Sequence, residues 1–174
     1  MFLDPAKIIS QLDLTSGQIV ADFGVGSGHY ALAAAQIVGN QGTVYAFDIQ
    51  TELLTRVSKL AAEKNIYNIK VMVADFEFTN STKLKDETVD YVIISNIIFQ
   101  LGNKENILRE AFRITKKTGR LLIVDWSESF GGMGPQNKDI VTKDSAQKLV
   151  IDAGFSLVKT IEAGDHHYGL VFKK

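Results

Sequence analysis

Three glycines at alternate positions follow an acidic residue near the start of the chain, in the motif Asp22-x-Gly24-x-Gly26-x-Gly28. Glycine tolerates positive φ angles and has no Cβ, so a glycine-rich turn lets the backbone approach a ligand closely. Where such a turn opens a helix, free backbone N–H groups face that ligand. The motif therefore predicts a strand–turn–helix ligand site, and the nucleotide-phosphate pattern G-x-x-x-x-G-K-[ST] does not occur.

Two further carboxylates, Asp48 and Asp75, follow later apolar runs of strand length. Carboxyl ends of parallel strands share one edge of a sheet, which is where open α/β folds bind ligands. A carboxylate at Asp48 can accept both hydroxyls of a ribose in several nucleoside-binding folds, and its alternative role is to cap the next helix. Asp75 is otherwise a plain loop carboxylate. Because His29 replaces the third glycine of the fingerprint G-x-G-x-x-G, the motif argues against a nicotinamide dinucleotide.

These motifs, with Val-Asp-Tyr-Val-Ile-Ile-Ser-Asn at residues 89–96, resemble those of class I S-adenosylmethionine-dependent methyltransferases over nearly the whole chain. The resemblance implies that the glycine turn wraps the methionine and ribose of the cofactor, with Asp22 near its ammonium group. It also implies that Ile49 packs on the adenine, whose amino group Asp75 accepts with help from the Phe76 backbone. The expected cofactor is S-adenosyl-L-methionine, and the product is S-adenosyl-L-homocysteine. The predicted cofactor-binding residues are Asp22, Gly24, Gly26, Ser27, Gly28, Tyr30, Asp48, Ile49, Asp75, Phe76 and Ser95.

The predicted catalytic residues are Asn96, Asp125 and His167, and no metal is expected. The resemblance places Ser95 and Asn96 beside the transferred methyl group. Relatives that methylate amides or nucleobases carry Asn/Asp-Pro-Pro-aromatic here; residues 96–99 are Asn-Ile-Ile-Phe, which disfavours those substrates. Asp125-Trp126 resembles a strand end in ubiquinone- and menaquinone-pathway C-methyltransferases.

Asp125 is expected to orient a substrate or act as a base, and its alternative is a strand-end carboxylate beside Trp126. His167 is a candidate general base at neutral pH, with a surface-turn histidine as the alternative. Adjacent histidines on an extended chain point to opposite sides, so His166 and His167 form a poor metal site. Methyl transfer is an in-line displacement that depends mainly on alignment and exclusion of water.

Two other functions stay open. A nicotinamide-dependent oxidoreductase shares Asp48 but conflicts with His29 and lacks an evident Tyr-x-x-x-Lys pair. A methyltransferase-like protein that binds cofactor or a partner without turnover fits the short chain, although Asp48 and the glycines are retained. The absence of cysteine argues against arsenite as the methyl acceptor, because thiolates hold that metalloid.

Composition limits the class of protein further. The 174 residues predict one domain over 1–174 without a separate cap domain. Lys and Arg number 19 against 20 Asp and Glu, so no nucleic-acid partner is expected. Residues 1–10 do not form a signal peptide and no apolar run reaches the ~18 residues of a membrane span, which predicts a cytoplasmic protein. The expected partner is a small-molecule methyl acceptor.

The elements that must position these residues alternate between strands and helices. Strands are predicted at 18–24, 43–49, 69–74, 89–95, 120–125, 155–162 and 168–173, and helices at 27–38, 51–65, 103–119 and 142–153. Successive βαβ units predict an α/β, Rossmann-like three-layer sandwich, with a seven-stranded, mostly parallel sheet whose last strand is antiparallel. Residues 127–139 are expected to form a mobile loop, either a substrate lid or a plain connector. An exposed apolar edge at 168–172 would permit a homodimer, with a monomer as the alternative.

Overall fold

The computed structural model describes residues 3–174. Its strands are β1 Ile19–Phe23, β2 Thr43–Asp48, β3 Ile69–Val73, β4 Val89–Ser95, β5 Thr115–Trp126, β6 Ser156–Ile161 and β7 His167–Lys173. Its α-helices are α1 Pro5–Ser10, α2 His29–Val38, α3 Thr51–Glu63, α4 Lys104–Ile114 and α5 Lys143–Asp152. Short 3-10 helices cover Ile98–Gln100 and Asn137–Asp139. No helix within the described range is both long and apolar enough to cross a membrane.

The seven strands form one sheet in the order β3-β2-β1-β4-β5-β7-β6. The pairs from β3 to β5 are parallel, whereas β7 runs antiparallel to both β5 and β6. The chain leaves β1 toward β2 on one side and returns to β4 on the other, which opens a crevice at the carboxyl ends of these strands. The predicted mostly parallel sheet with an antiparallel last strand is confirmed.

Two apolar clusters bury the two faces of the sheet and create the three layers. Helices α1, α2 and α3 cover one face, and α4 and α5 cover the other. The central residues of strand β4 are apolar without alternation because both faces of the strand are buried. Tyr91 and Ile93 belong to the first cluster, and Val92 and Ile94 belong to the second. A strand covered on both faces has no solvent side on which polar residues would be placed.

The predicted helix over 103–119 is wrong at its end. Helix α4 ends at Ile114 and the chain is already extended at Thr115, whose hydroxyl donates to the Ala111 carbonyl over 2.6 Å. Gly119 lies inside β5, where a Cβ would stand 2.6 Å from Thr115 Cγ2 and 3.0 Å from the Asp90 carbonyl oxygen. Gly119 therefore allows close approach within the sheet, and it does not end a helix.

The predicted exposed edge at residues 168–172 is also wrong. Strand β7 lies between β5 and β6, and Tyr168, Leu170 and Phe172 are buried. The edge strands are β3 and β6. The prediction assumed that the last strand in sequence is the last in space, but the final hairpin folds back so that its second strand pairs with β5.

Candidate functional site

A cavity of about 530 Å³ lies at the carboxyl ends of β1 to β4. Every predicted cofactor-binding residue except Gly28 lines it, and so does the predicted catalytic residue Asn96. These residues come from four separate turns, because the parallel strands bring their carboxyl ends to one edge. We refer to this space as the main cavity.

The turn after β1 contains three glycines with positive φ angles: Gly24 (+72°), Gly26 (+50°) and Gly28 (+82°). A Cβ on Gly24 would stand 2.5 Å from Ile97 Cδ1, and one on Gly28 would stand 2.7 Å from Val57 Cγ2. A Cβ on Gly26 would meet only the Gly24 carbonyl oxygen, at 3.8 Å. The outer glycines thus allow close packing, whereas Gly26 leaves open space on the cavity side.

Asp48 ends β2 with its carboxylate held in place by two backbone groups. Gly26 N–H donates to Oδ2 over 3.1 Å, and Gln50 N–H donates to Oδ1 over 3.0 Å. The residue is only 7% exposed. Each carboxylate oxygen has further lone pairs, so Asp48 remains able to accept two hydroxyl groups from a ligand.

Asp22 lies at the bottom of the cavity and is 2% exposed. Its Oδ2 atom is buried without a hydrogen-bond partner. Burial, with a smaller contribution from the nearby charge of Asp48, raises the pKa of Asp22 to about 7. A cation bound beside Asp22 would offset that cost and favour the ionised carboxylate.

Three more buried polar atoms at this cavity lack partners: the hydroxyl of Tyr30, the hydroxyl of Ser95 and Oδ1 of Asn96. Tyr30 and Ser95 lie near each other without a well-formed hydrogen bond, and burial raises the pKa of Tyr30. Asn96 has a left-handed backbone with φ 55°, an uncommon conformation for a residue other than glycine. Unpaired buried polar groups are rare in native proteins. Their concentration here, with Asp22, fits a polar ligand.

Asp75, Ile49 and Phe76, the residues predicted to contact adenine, line another part of the cavity. Asp75 Oδ1 accepts the N–H of Glu77 over 3.0 Å, which fixes the turn after β3. The side chain of Ile49 is 58% exposed and available to a ligand. Phe76 is buried, with its ring 4.3 Å from that of Phe23, so only its backbone is suited to contact a ligand.

The structure does not bring Asp125 and His167 to the lining of the main cavity. Asp125 is 1% exposed, and burial raises its pKa to about 7. Its Oδ1 atom accepts the Trp126 N–H over 2.8 Å, whereas its Oδ2 atom has no hydrogen-bond partner. His167 is the first residue of β7, with its ring 4.2 Å from that of Trp126. Burial, and then the charge of His166, lower the pKa of His167 to about 4. The catalytic roles of Asp125 and His167 stay predictions.

His167 lines a second cavity of about 440 Å³ between α1 and the β6–β7 hairpin. The loop over residues 127–139 packs beside this hairpin: the Phe130 ring stacks on His166 at 3.9 Å. No residue of this loop lines the main cavity within the described part of the chain. The lid role of the loop therefore stays a prediction.

The predicted site leaves out several residues that line the cavity within or beside its motifs. They are Val25, Gln50, Leu53, Ala74, Glu77, Ile97, Gln100 and Leu101. Most could have been found by including every position of each motif and the turn that follows it. Leu3 and Pro5 also line the cavity, and the family resemblance implies that the N-terminal segment covers the cofactor pocket.

A parallel sheet with a glycine turn after β1, a carboxylate at the end of β2 and a cavity across the strand ends defines a Rossmann-like fold with a nucleoside-cofactor site. Residues 14–166 match the model of a family described as a methyltransferase domain. The chain belongs to that methyltransferase family, and the predicted resemblance to class I S-adenosylmethionine-dependent methyltransferases is confirmed.

Individual relatives agree with this assignment. The solved structure of a SAM-dependent methyltransferase from Aquifex aeolicus matches with a TM-score of 0.87 and 26% identity, over 98% of this chain and 89% of that one. The ubiquinone/menaquinone biosynthesis C-methyltransferase UbiE of Hydrogenovibrio crunogenus is 34% identical over 64% of this chain and 43% of its own length. An arsenite methyltransferase of Aquipseudomonas alcaligenes is 33% identical over 64% of this chain and 34% of its own. The chain thus spans less than half the length of these curated relatives.

Proposed function

We propose that this chain binds S-adenosylmethionine in the main cavity and transfers its methyl group to a small-molecule acceptor by in-line displacement. The observation that carries the proposal is the set of unpartnered buried atoms of Asp22, Tyr30, Ser95 and Asn96 around one cavity. When bound there, the cofactor supplies a sulfonium methyl group that a nucleophile attacks opposite the breaking C–S bond, and S-adenosylhomocysteine remains.

The chain's own residues bind and orient in this proposal. Asp48 accepts the two ribose hydroxyls through oxygens that Gly26 and Gln50 already hold in place. Asp75 accepts the adenine amino group, and the exposed side chain of Ile49 covers the adenine face. Preorganised acceptors of this kind bind a ligand without an additional ordering cost.

The charges that line the main cavity indicate what kind of acceptor fits beside the cofactor. No Lys or Arg of residues 3–174 lines the cavity. Its ionisable lining residues are four carboxylates, one imidazole and one phenol: Asp22, Asp48, Asp75, Glu77, His29 and Tyr30. A carboxylate or phosphate on the acceptor would face these like charges, and no lysine or arginine side chain at the cavity would offset them. An uncharged or cationic acceptor is favoured, with its polar group reaching the Ser95 and Asn96 side chains.

The relatives' names include a quinone-pathway C-methyltransferase and an arsenite methyltransferase. Of these two, an uncharged organic acceptor fits this chain better, because it has no cysteine to hold arsenite. A second candidate function is cofactor binding without turnover. One observation favours it: Asp125 and His167, the two predicted bases, both lie outside the cavity lining.

Calorimetric titration of the full chain with S-adenosylmethionine, S-adenosylhomocysteine and NAD tests the proposal. We expect micromolar binding of the first two ligands and none of NAD. In Asp48→Ala, we expect S-adenosylhomocysteine binding to weaken by about 10- to 100-fold, or ~1–3 kcal/mol, since ribose hydroxyls lose charged partners.

Asp13→Ala removes an exposed carboxylate outside the cavity and serves as the matched control. Its affinity should equal that of the wild type, and thermal melting should show that both variants are folded. Binding of NAD alone, or equal affinity in Asp48→Ala, would refute the proposed site. Tight binding without methylation of any acceptor in a broad screen would favour the non-catalytic function.

A further inference from the structure

Glu77 joins two walls of the main cavity that are distant in sequence. It follows the adenine-side residues Asp75 and Phe76 and is itself one of the residues that line the cavity. Its Oε1 accepts the Gly102 N–H over 2.7 Å, and its Oε2 accepts the Asn103 N–H over 3.0 Å. The two backbone hydrogen bonds lower the pKa of Glu77, so it is ionised at neutral pH.

The main chain of Glu77 makes two further links. Its N–H donates to Asp75 Oδ1 over 3.0 Å, and its carbonyl accepts from Asn106 Nδ2 of α4 over 2.6 Å. Thus one residue bonds both to the carboxylate proposed to bind the adenine and to the start of α4. Asp75 is thus linked through the Glu77 backbone to Gly102 and Asn103, which the Glu77 carboxylate holds.

Residues 96–103, which we term the acceptor-side segment, form the other wall. This segment holds only one short 3-10 helix, Ile98–Gln100, and contributes Asn96, Ile97, Gln100 and Leu101 to the cavity lining. Within the segment Gln100 Nε2 donates to the Asn96 carbonyl over 2.9 Å, and beyond it Lys104 Nζ donates to the Leu101 carbonyl over 2.7 Å. These two bonds are local along the chain, whereas the Asn96 N–H donates to the Val124 carbonyl over 2.9 Å and attaches the start of the segment to β5. The Glu77 carboxylate joins the other end of the segment, at Gly102 and Asn103, to the adenine side.

We propose that Glu77 is a positioning residue that couples occupation of the adenine side to the position of the acceptor-side segment. The inference rests on the proposed function, because it requires that the cofactor bind at Asp75. Cofactor bound at Asp75 orders the turn after β3, and Glu77 passes that order to the segment that forms the acceptor wall. By linkage, a ligand that orders the segment strengthens cofactor binding by the same factor.

A simpler role for Glu77 is to cap α4 and nothing more. A carboxylate at a helix N-terminus stabilises that helix through its free N–H groups and its dipole. Capping alone predicts that loss of Glu77 destabilises residues 102–106 equally with and without cofactor. Coupling predicts in addition that the cofactor no longer protects residues 96–101.

Amide hydrogen exchange of the full chain, with and without S-adenosylhomocysteine, separates these roles. In the wild type we expect the ligand to slow exchange at residues 22–28, 74–77 and 96–103. In Glu77→Ala we expect slowing at 22–28 to persist at saturating ligand and slowing at 96–101 to be lost. Calorimetry should show affinity for S-adenosylhomocysteine reduced by roughly fivefold, the lower end of typical coupling factors.

Three variants complete the test. Glu77→Gln keeps the shape but leaves one amide oxygen for two donors, and should lose part of the protection. Asn106→Leu removes the hydrogen bond from α4 to the Glu77 carbonyl but keeps the Glu77 carboxylate, so protection at 96–101 should stay largely intact. If Glu77→Ala fails to fold, the comparison of Glu77→Gln with Asn106→Leu decides between the two roles. Glu63→Ala, at the exposed end of α3, should match the wild type.

Each outcome decides the proposal. Protection of 96–101 by ligand in both the wild type and Glu77→Ala would overturn the coupling while leaving the proposed function standing. Protection at 22–28 and 74–77 but not at 96–101 in the wild type would do the same. Failure of the wild type to bind S-adenosylhomocysteine would overturn the proposed function and the coupling with it.

Discussion

At the scale of single residues, the main cavity contains four of the eight buried side-chain atoms in residues 3–174 that lack a hydrogen-bond partner. Leaving a buried donor or acceptor unpaired costs about 1–3 kcal/mol. Asp22, Tyr30, Ser95 and Asn96 each carry such an atom at this one site. A protein retains that cost where a ligand supplies the missing partners, so the pattern supports a ligand site independently of the glycine motif.

The raised pKa of Asp22 has a consequence for stability. Its folded-state pKa of about 7 lies above its ordinary value of 3.8 because burial disfavours the carboxylate. The stability associated with the protonated form is fully present below about pH 4 and is lost as the pH rises through about 7. We expect Asp22→Asn, which cannot ionise, to exceed the wild type in free energy of unfolding by about 1–3 kcal/mol at pH ~8.5.

Urea unfolding at pH ~5 and pH ~8.5 measures this difference. At the lower pH the gap should shrink to well under half, because Asp22 is then protonated in the folded wild type and ionised only in the unfolded chain. Asp13→Asn changes an exposed carboxylate and should show no gap at either pH. A gap of equal size at both pH values would mean that the Asp22→Asn substitution improves packing and that the charge of Asp22 is not the cause.

At the scale of elements, the turn between β1 and α2 is shaped by its neighbours. Gly24 faces Ile97 of the acceptor-side segment, and Gly28 faces Val57 of α3. The turn is therefore packed between two walls of the main cavity, and Gly24 and Gly28 allow the close contact between elements. Gly28 does not line the cavity, and its predicted role in cofactor binding stays a prediction.

Gly28→Ala should lower the free energy of unfolding by more than the strain of an alanine at positive φ, because its methyl group would also press against Val57. A left-handed alanine costs roughly 1–2 kcal/mol, and forcing a methyl group against Val57 adds about 1–3 kcal/mol. Gly17→Ala is the matched control, since Gly17 has φ +85° but no atom within 4 Å of its Cβ position. Chemical denaturation of both variants measures the difference; equal losses would show that Val57 yields without cost.

At the scale of the whole molecule, hydrogen bonds join the N-terminal helix α1 to the final hairpin. Gln11, just after α1, donates through Nε2 to the Glu162 carbonyl over 2.8 Å and accepts the Glu162 N–H over 3.1 Å. Lys159 Nζ also donates to the Gln11 carbonyl over 2.9 Å. These bonds hold α1 against the final hairpin, while Leu3 and Pro5 reach the main cavity.

Gln11→Ala should loosen this attachment. Two side-chain hydrogen bonds at a partly exposed position contribute together about 1 kcal/mol, so the midpoint of urea unfolding should fall accordingly. Limited proteolysis should cut before residue 14 more readily than in the wild type. Gln136→Ala, at an exposed position outside the site, should change neither result. An unchanged cleavage rate would show that apolar packing of α1 suffices to hold it.

The grouping of the predicted cofactor-binding residues around one cavity was predictable because their motifs are local along the chain. Asp22, Asp48 and Asp75 each lie at or just beyond the carboxyl end of a recognisable apolar strand, and parallel pairing brings such strand ends to one edge. The glycine pattern likewise indicates a tight turn wherever the chain is placed. These features make the fold and the family assignment accessible from residue types and spacing alone.

Tertiary structure alone decided the features that depend on distant contacts. Only the folded chain shows that Asp125 and His167 lie off the main cavity, and that Glu77 binds backbone groups of Gly102 and Asn103. In the sequence Gly119 looks like a glycine that ends a helix, but in the structure it is needed because Asp90 and Thr115 approach its backbone closely. The physical reason is that periodicity reports the local environment of a segment, whereas the partners of a buried carboxylate are set by how segments pack.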